Sequence, residues 1–315
     1  MRLLEARRRG TGAMLRLQRI LPATAGDFQP LRAITITPEL LDRLLRGLRR
    51  RGVEIVTIDE AVRRIAAPAR RRRFVCLTFD GAYRDVLHHA APVLARHGVP
   101  FTVYVPTAFV DGIAELWWLA LEQIIAANDR ISLILDQRER HFDAVRTEQK
   151  YALHDLLADW LQQLAPAERS LAIRDLCSRY RVDLAALSRA AVMDWSEVRT
   201  LAADPLVTIG SATVNARALE RLDDARALRE MRLGREVAEA ALDRALPHFA
   251  YPPGMVGARE TALAAQAGFA SAVTGQGGLI WPDGRSRPWA LPRIGWDGRS
   301  PSLRALRARL AGLGS

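Results

Sequence analysis

The chain has 315 residues, of which 49% are hydrophobic and 26% are charged. These proportions are typical of a globular protein, and the length allows one large α/β domain or two small ones. No apolar run reaches the roughly 18 residues of a membrane-spanning helix, and the first residues lack the apolar core of a secretory signal. We therefore expect a cytoplasmic protein without a membrane span.

The chain is strongly basic, with a formal net charge of +11. Lys150 is the only lysine, so nearly every basic residue is an arginine, and the arginines are spread over many predicted helices. This distribution favours a bias of composition over a nucleic-acid face, and no zinc finger or RNA-binding signature accompanies it. Two clusters, at residues 49–51 and 70–73, could still hold an acidic glycan, a phospholipid surface or nucleic acid.

The N-terminal part of the chain alternates strands and helices. Residues 1–13 form a basic lead-in, and residues 14–20 have the pattern of a strand. Thr37 and Pro38 then begin a helix, as N-cap and first helical residue. A short strand at 54–58 and a helix from Asp59 follow. This alternation predicts a parallel sheet or a barrel.

The rest of the chain is organised around residues 74–80, an apolar run with the pattern of a strand buried on both faces. The run ends at Asp80, and the helical period resumes at Tyr83. Parallel sheets and barrels place their chemistry at the C-terminal ends of strands, so Asp80 is a candidate functional carboxylate. The alternative is an Asp that only caps the next helix.

Beyond the next predicted strand, at 101–105, the alternation stops. Residues from about 113 to 195 read almost entirely as helix, with one possible hairpin strand at 131–135. Strands are predicted again at 206–210 and 270–274, with a long helix at 223–246 between them. The pattern indicates a helical insertion into an α/β domain.

Several motifs occur in the order found in one known family. Thr78, Phe79 and Asp80, the segment 98–102, Gly210 with Ser211, the segment 249–254 and the segment 291–294 resemble the polysaccharide deacetylases (the NodB-homology domain, carbohydrate esterase family 4). The resemblance implies an α/β fold, a distorted (β/α) barrel spanning residues 14–312 as one domain. It also implies that the helical insertion covers one rim of the barrel.

The same resemblance implies roles for individual positions. Asp80 takes the place of the catalytic base, and Arg293 that of an arginine near the base. The three ligands of the family's zinc-like divalent ion fall on Gly81, Ala212 and Ala216, whose side chains cannot coordinate a metal. We therefore expect no metal cofactor. Pro253 takes the place of an oxyanion donor but has no N–H, and no histidine lies near Gly284, where the family's acid is expected.

With the metal ligands, the oxyanion donor and the acid missing, the matched positions leave only the polar floor of a cleft. This floor has no electrophile. Its members are the retained base position Asp80, the possible orienting residue Arg293, and four predicted ligand-binding residues, Thr78, Ser211, Thr213 and Tyr251. The preferred interpretation is a pseudoenzyme that binds a glycan, such as an acetylated amino sugar, or a partner enzyme. Two alternatives are an active carbohydrate N-deacetylase with a rebuilt site, and a basic module that binds an anionic glycan or a membrane surface.

Overall fold

The centre of the molecule is a ring of parallel strands. The computed structural model describes residues 10–66, 72–135, 138–253, 256–281, 285–296, 298–299, 302–310 and 312. Its strands are β1 (Gly12–Leu17), β2 (Arg19–Ile20), β3 (Thr35–Ile36), β4 (Glu54–Ile55), β5 (Phe74–Asp80), β6 (Phe101–Val105), β7 (Arg130–Leu135), β8 (Arg138–Asp143), β9 (Val207–Ser211), β10 (His248–Ala250), β11 (Ser271–Val273) and β12 (Arg293–Gly295).

Helices connect and surround these strands. The first helix begins as its sequence predicts, because the Thr37 side chain accepts a hydrogen bond from the Leu40 N–H. The α-helices are α1 (Pro38–Arg49), α2 (Ile58–Ala66), α3 (Ala91–His97), α4 (Thr107–Val110), α5 (Trp117–Ala127), α6 (Thr147–Gln163), α7 (Pro166–Arg179), α8 (Leu184–Ala191), α9 (Trp195–Ala202), α10 (Asp224–Leu242), α11 (Ala258–Gln266) and α12 (Leu303–Leu310).

Seven strands form the barrel, in the order β11-β10-β9-β6-β5-β1-β12. All pairs in this path are parallel. A parallel bridge from Val273 to Leu291 joins β11 to the residues just before β12 and brings the ends of the path together. The predicted fold, a distorted (β/α) barrel, is confirmed.

Strand β5 is the most fully paired strand of the barrel. One edge pairs with β1 along its length, and the other edge is shared between β4 at the start and β6 at the end. Its first six residues are buried, as their apolar pattern predicts. Only Asp80, the last residue, is partly exposed.

The strand predicted at 14–20 differs from the observed one. Strand β1 begins two residues earlier, because Gly12 and Ala13 pair with Phe74 and Val75. It ends at Leu17, and β2 pairs with β3 in a separate small sheet. The Asp85 carboxylate accepts hydrogen bonds from the Ile20 N–H, at 2.9 Å, and from the Arg19 side chain, at 2.8 Å. These bonds hold β2 against the segment that follows β5.

Apolar side chains fill the N-terminal half of the barrel. Ile58, Ala61 and Ile65 of α2 pack in one cluster with Met14 and Phe74, which come from β1 and the first residue of β5. Helix α2 therefore covers the N-terminal end of the barrel. The polar side chains described below lie toward the other end.

The helical region predicted at 113–195 contains α5 to α8 and a hairpin, and it has a hydrophobic core of its own. The predicted hairpin strand is confirmed, since β7 pairs with β8 in antiparallel register. The end of this region packs on the residues after Asp80, where the Met193 N–H donates to the Ala82 carbonyl at 3.0 Å. None of the described helices is both long and apolar enough to cross a membrane.

Candidate functional site

The Asp80 carboxylate and the Arg293 guanidinium form a two-pronged ion pair at the C-terminal half of the barrel. Arg293 Nη1 lies 2.6 Å from Asp80 Oδ1, and Nη2 lies 2.9 Å from Oδ2. Strand β1 separates the two residues in the sheet, so the Arg293 side chain crosses the barrel interior to reach Asp80. This geometry is the strong, planar form of an arginine–carboxylate contact.

The Arg293 side chain is 1% exposed and is held by further contacts. Its Nε donates to the Thr274 carbonyl at 2.8 Å, and Nη1 also donates to Thr78 Oγ1 at 3.2 Å. The Thr78 hydroxyl in turn donates to the Leu15 carbonyl at 2.7 Å. A buried guanidinium is stable only when its charge and donors are compensated, and here both conditions are met. Asp80 is therefore held in one orientation.

A second guanidinium, that of Arg16, belongs to the same end of the barrel. Arg16 lies in register with Thr78 on one side and Gly295 on the other, and it is half-buried. Within the described residues its side chain has no hydrogen-bond or ion-pair partner. Burial lowers the pKa of Arg16, although the nearby Asp80 charge opposes this, and Arg293 lowers it further. Arginine stays charged at neutral pH, so the one carboxylate has two cations in its neighbourhood and is paired with Arg293 alone.

The three positions that resemble metal ligands lie on the two loops that follow β5 and β9. Gly81 has a left-handed backbone, with φ of 98°, and Ala216 has φ of 51°. Ala212 is buried. A hydrogen atom and two methyl groups provide no lone pair, so a divalent metal does not fit these positions. The described residues contain no group of three or more His, Cys, Asp or Glu side chains that could hold a metal elsewhere.

The loop that carries Ala212 and Ala216 is fixed by helix α10. A Cβ added at Gly234 would lie 2.6 Å from the Ala212 carbonyl oxygen, so only glycine permits this close approach. Glu230, one turn earlier, accepts hydrogen bonds from the backbone and side chain of Asn215, at 3.1 and 2.9 Å. The loop therefore has a defined position, and small side chains line it.

The four predicted ligand-binding residues have different surroundings. Thr78 contacts Arg293, as described. Ser211 and Thr213 are fully buried, and the Ser211 hydroxyl donates to the Ala212 carbonyl at 3.0 Å. The Tyr251 hydroxyl lies 2.9 Å from the Trp289 carbonyl, in a cluster with Phe249. Arg293 thus contacts both Thr78 and Asp80, whereas the Tyr251 hydroxyl is turned toward backbone carbonyls. Ligand binding by all four residues stays a prediction.

Two further predicted positions bear on catalysis. Pro253 follows β10 on the exposed surface and has no N–H to offer an oxyanion. Gly284 lies outside the described residues. Both cysteines are buried, and burial raises the pKa of Cys76 to about 12 and that of Cys177 to about 11, which disfavours a nucleophilic thiolate at either position.

Of the predicted arginine clusters, residues 49–51 lie at the end of α1, and Arg72 and Arg73 precede β5, at the opposite end of that strand from Asp80. Residues 70 and 71 are outside the described residues. The cluster at 49–51 contributes to a groove of about 600 Å³ between α1 and α12. The arginines that line this groove are Arg43, Arg46, Arg50, Arg51 and Arg307.

Sequence reasoning missed Arg16. The signal was present, because Arg16 lies within the predicted strand between the apolar Leu15 and Leu17, a pattern that directs it to the opposite face from both. Since Leu15 and Leu17 are both buried in the outer core, the alternation places Arg16 inside the barrel.

Comparisons with known proteins identify similar structures but no similar sequence or family model. No model of a known protein family matches the chain, and no curated protein matches its sequence. Among solved structures, the chain is similar to the deacetylase PplD of Streptococcus pyogenes in complex with acetate, with a TM-score of 0.62 and 15% identity over 96% of this chain and 99% of that one.

Two other structures are similar to the same extent. A de-N-acetylase from Aggregatibacter actinomycetemcomitans gives a TM-score of 0.61 at 13% identity, covering 95% of this chain and 99% of that one. A polysaccharide deacetylase from Bacillus cereus gives 0.60 at 11% identity, covering 96% of this chain and 69% of that one. The chain therefore has the fold of the polysaccharide deacetylases, as the resemblance of its motifs implies.

The Asp80–Arg293 pair should contribute to stability. Replacing Asp80 by Asn removes the charge that compensates the buried guanidinium, so we expect Asp80→Asn to lower the free energy of unfolding by about 2–4 kcal/mol. Urea unfolding followed by circular dichroism measures this. The control is Asp175→Asn, which removes a carboxylate from an exposed pair with Arg179 and should leave the free energy of unfolding nearly unchanged. Equal stability of the two variants would contradict this role for the pair.

The backbone at Gly81 should resist a side chain. Besides its left-handed conformation, a Cβ added at Gly81 would lie 2.9 Å from the Tyr83 ring. We expect Gly81→Asp, which adds a carboxylate at the inferred ligand position, to lower the free energy of unfolding by about 1–2 kcal/mol. Gly26→Asp is the control, because nothing lies within 4 Å of a Cβ there. A Gly81→Asp variant as stable as the parent would show that this loop tolerates a ligand side chain.

Proposed function

We propose that the protein is a pseudoenzyme with a polysaccharide deacetylase fold, which binds a glycan at the C-terminal mouth of the barrel and does not hydrolyse it. The observation that carries this proposal is the composition of the floor. The carboxylate at the base position is retained and fixed by Arg293, while the positions matched to metal ligands carry no donor side chain.

The chemistry of amide hydrolysis explains why this combination matters. The reaction needs a general base, an activated water and an electrophile that polarises the amide carbonyl. Asp80 could serve as the base, since its side chain is 21% exposed, and a base contributes about 10²–10⁴ in rate. In the metal-dependent deacetylases that the motifs resemble, the divalent ion supplies the other two functions. Without donors to hold it, the largest part of the rate enhancement is missing.

The same floor suits binding. The partly exposed Asp80 carboxylate offers acceptor lone pairs to sugar hydroxyl and amide groups, and its fixed pairing with Arg293 presents them without a cost of reorganisation. Similar structures include enzymes named as deacetylases, which supports an acetylated amino sugar as the ligand. A partner enzyme is the other ligand that we predicted, and no described surface favours it over a glycan.

The alternative of a rebuilt hydrolase makes a different prediction. Arg16 could polarise a carbonyl in place of the metal, with Asp80 as the base. An arginine does not lower the pKa of a bound water as a divalent metal does, so the water would remain poorly activated. This difference favours binding without turnover.

Incubation with chitopentaose distinguishes a pseudoenzyme that only binds the glycan from a rebuilt hydrolase. We expect saturable binding by isothermal titration calorimetry, and no release of acetate above the rate without protein. Acetate release that is lost in Asp80→Asn and kept in Asp175→Asn would establish the rebuilt hydrolase instead. Absence of binding by the folded protein to any acetylated amino-sugar oligosaccharide would contradict the glycan proposal.

A further inference from the structure

The unpaired Arg16 guanidinium is the charged group at the barrel mouth that the proposed function leaves unexplained. It is half-buried, and half-buried arginines are normally paired or hydrogen-bonded because desolvation of an isolated charge is costly. Here the obvious partner is already engaged. Both oxygens of Asp80 accept from Arg293 at 2.6 and 2.9 Å, and among the described residues no ion pair joins Asp80 to Arg16.

The surroundings of Arg16 leave room for its guanidinium. A Cβ added at Gly275, in the loop after β11, would lie 3.0 Å from Arg16 Nη1. A Cβ added at Gly295, the last residue of β12, would lie 3.8 Å from Nη2. Glycines at both positions therefore keep larger side chains away from the guanidinium. Neither position supplies a side-chain acceptor, and the Gly295 carbonyl accepts from Arg309 Nη1 at 2.9 Å.

The charges of this group do not balance. Among the described residues of the floor, Arg16 and Arg293 carry two positive charges and Asp80 carries one negative charge, which leaves one cation uncompensated. We infer that Arg16 binds a carboxylate of the ligand, and that the glycan recognised by this protein is therefore an acidic one that contains a uronic acid. This inference rests on the proposed function and specifies the class of glycan that binds at the same site.

A carboxylate fits better than a phosphate ester. A guanidinium forms two parallel hydrogen bonds to a carboxylate, as Arg293 does with Asp80. A monoanion also neutralises the single excess charge. A phosphate dianion would bring a second negative charge next to Asp80, where like charges repel each other.

Hyaluronan tetrasaccharide, which alternates N-acetylglucosamine with glucuronate, is a suitable probe. Its carboxyl-reduced form has alcohols in place of the carboxylates and is otherwise the same. We expect the native form to bind the wild-type protein at least about tenfold more tightly than the reduced form, since a charge-assisted hydrogen bond is worth about tenfold or more in affinity. Calorimetry with both forms, at one fixed salt concentration, measures the difference.

Variants assign that difference to Arg16. We expect Arg16→Gln to bind the native form about ten- to a hundredfold more weakly, and the reduced form as tightly as the wild type does. Arg16→Lys keeps the charge but loses the two parallel donors of the guanidinium. Its affinity for the native form should therefore lie between those of the wild type and Arg16→Gln. Arg43→Gln removes an exposed arginine of the groove between α1 and α12 and should bind both forms as the wild type does. Thermal unfolding checks that each variant is folded.

The outcomes separate the inference from the function on which it rests. If wild type binds both forms equally, or if Arg16→Gln and Arg16→Lys both keep full affinity for the native form, the carboxylate inference is wrong and glycan binding stands. If Arg43→Gln loses affinity and Arg16→Gln does not, the anion is bound in the groove, which also overturns the inference. If neither form nor chitopentaose binds, the proposed glycan function fails together with it.

Discussion

The ion pair between Asp80 and Arg293 is the interaction on which the C-terminal half of the barrel depends. It links the end of β5 to the start of β12 across β1, and through Thr274 and Thr78 it also reaches β11 and the backbone of β1. A guanidinium that is almost completely buried needs these partners, because an unpaired buried charge costs several kcal/mol. The pair therefore fixes both the closure of the barrel and the orientation of the only carboxylate at the base position.

The same pair determines which chemistry the site can support. With Asp80 bound at both oxygens, the second cation, Arg16, has no protein partner among the described residues. A metal-dependent site would need donors where Gly81, Ala212 and Ala216 stand, and it would have to accept a divalent cation beside two guanidiniums. Repulsion of a cation and attraction of an anion both follow from this charge arrangement. Binding of an acidic ligand without turnover is consistent with each of these features.

Much of the fold could be predicted because it is encoded locally. The apolar run of β5 ends abruptly at Asp80, and the motifs around it occur in the order of a known family. The contact between Asp80 and Arg293 was suggested only by that resemblance, since more than two hundred residues separate them in the chain. The alternation of β1 was enough to predict that Arg16 lies inside the barrel, but its lack of a partner could not be predicted, because Asp80 pairs with a different arginine. The break between β1 and β2 was missed for a similar reason, as it depends on Asp85.

Metal content of the protein purified without chelators tests the loss of the catalytic site most directly. Inductively coupled plasma mass spectrometry after dialysis should detect only trace zinc, cobalt and nickel, because the inferred ligand positions offer no donor side chain. Near-equimolar metal that survives dialysis and is lost with a chelator would contradict the pseudoenzyme proposal and would show that other residues hold the ion.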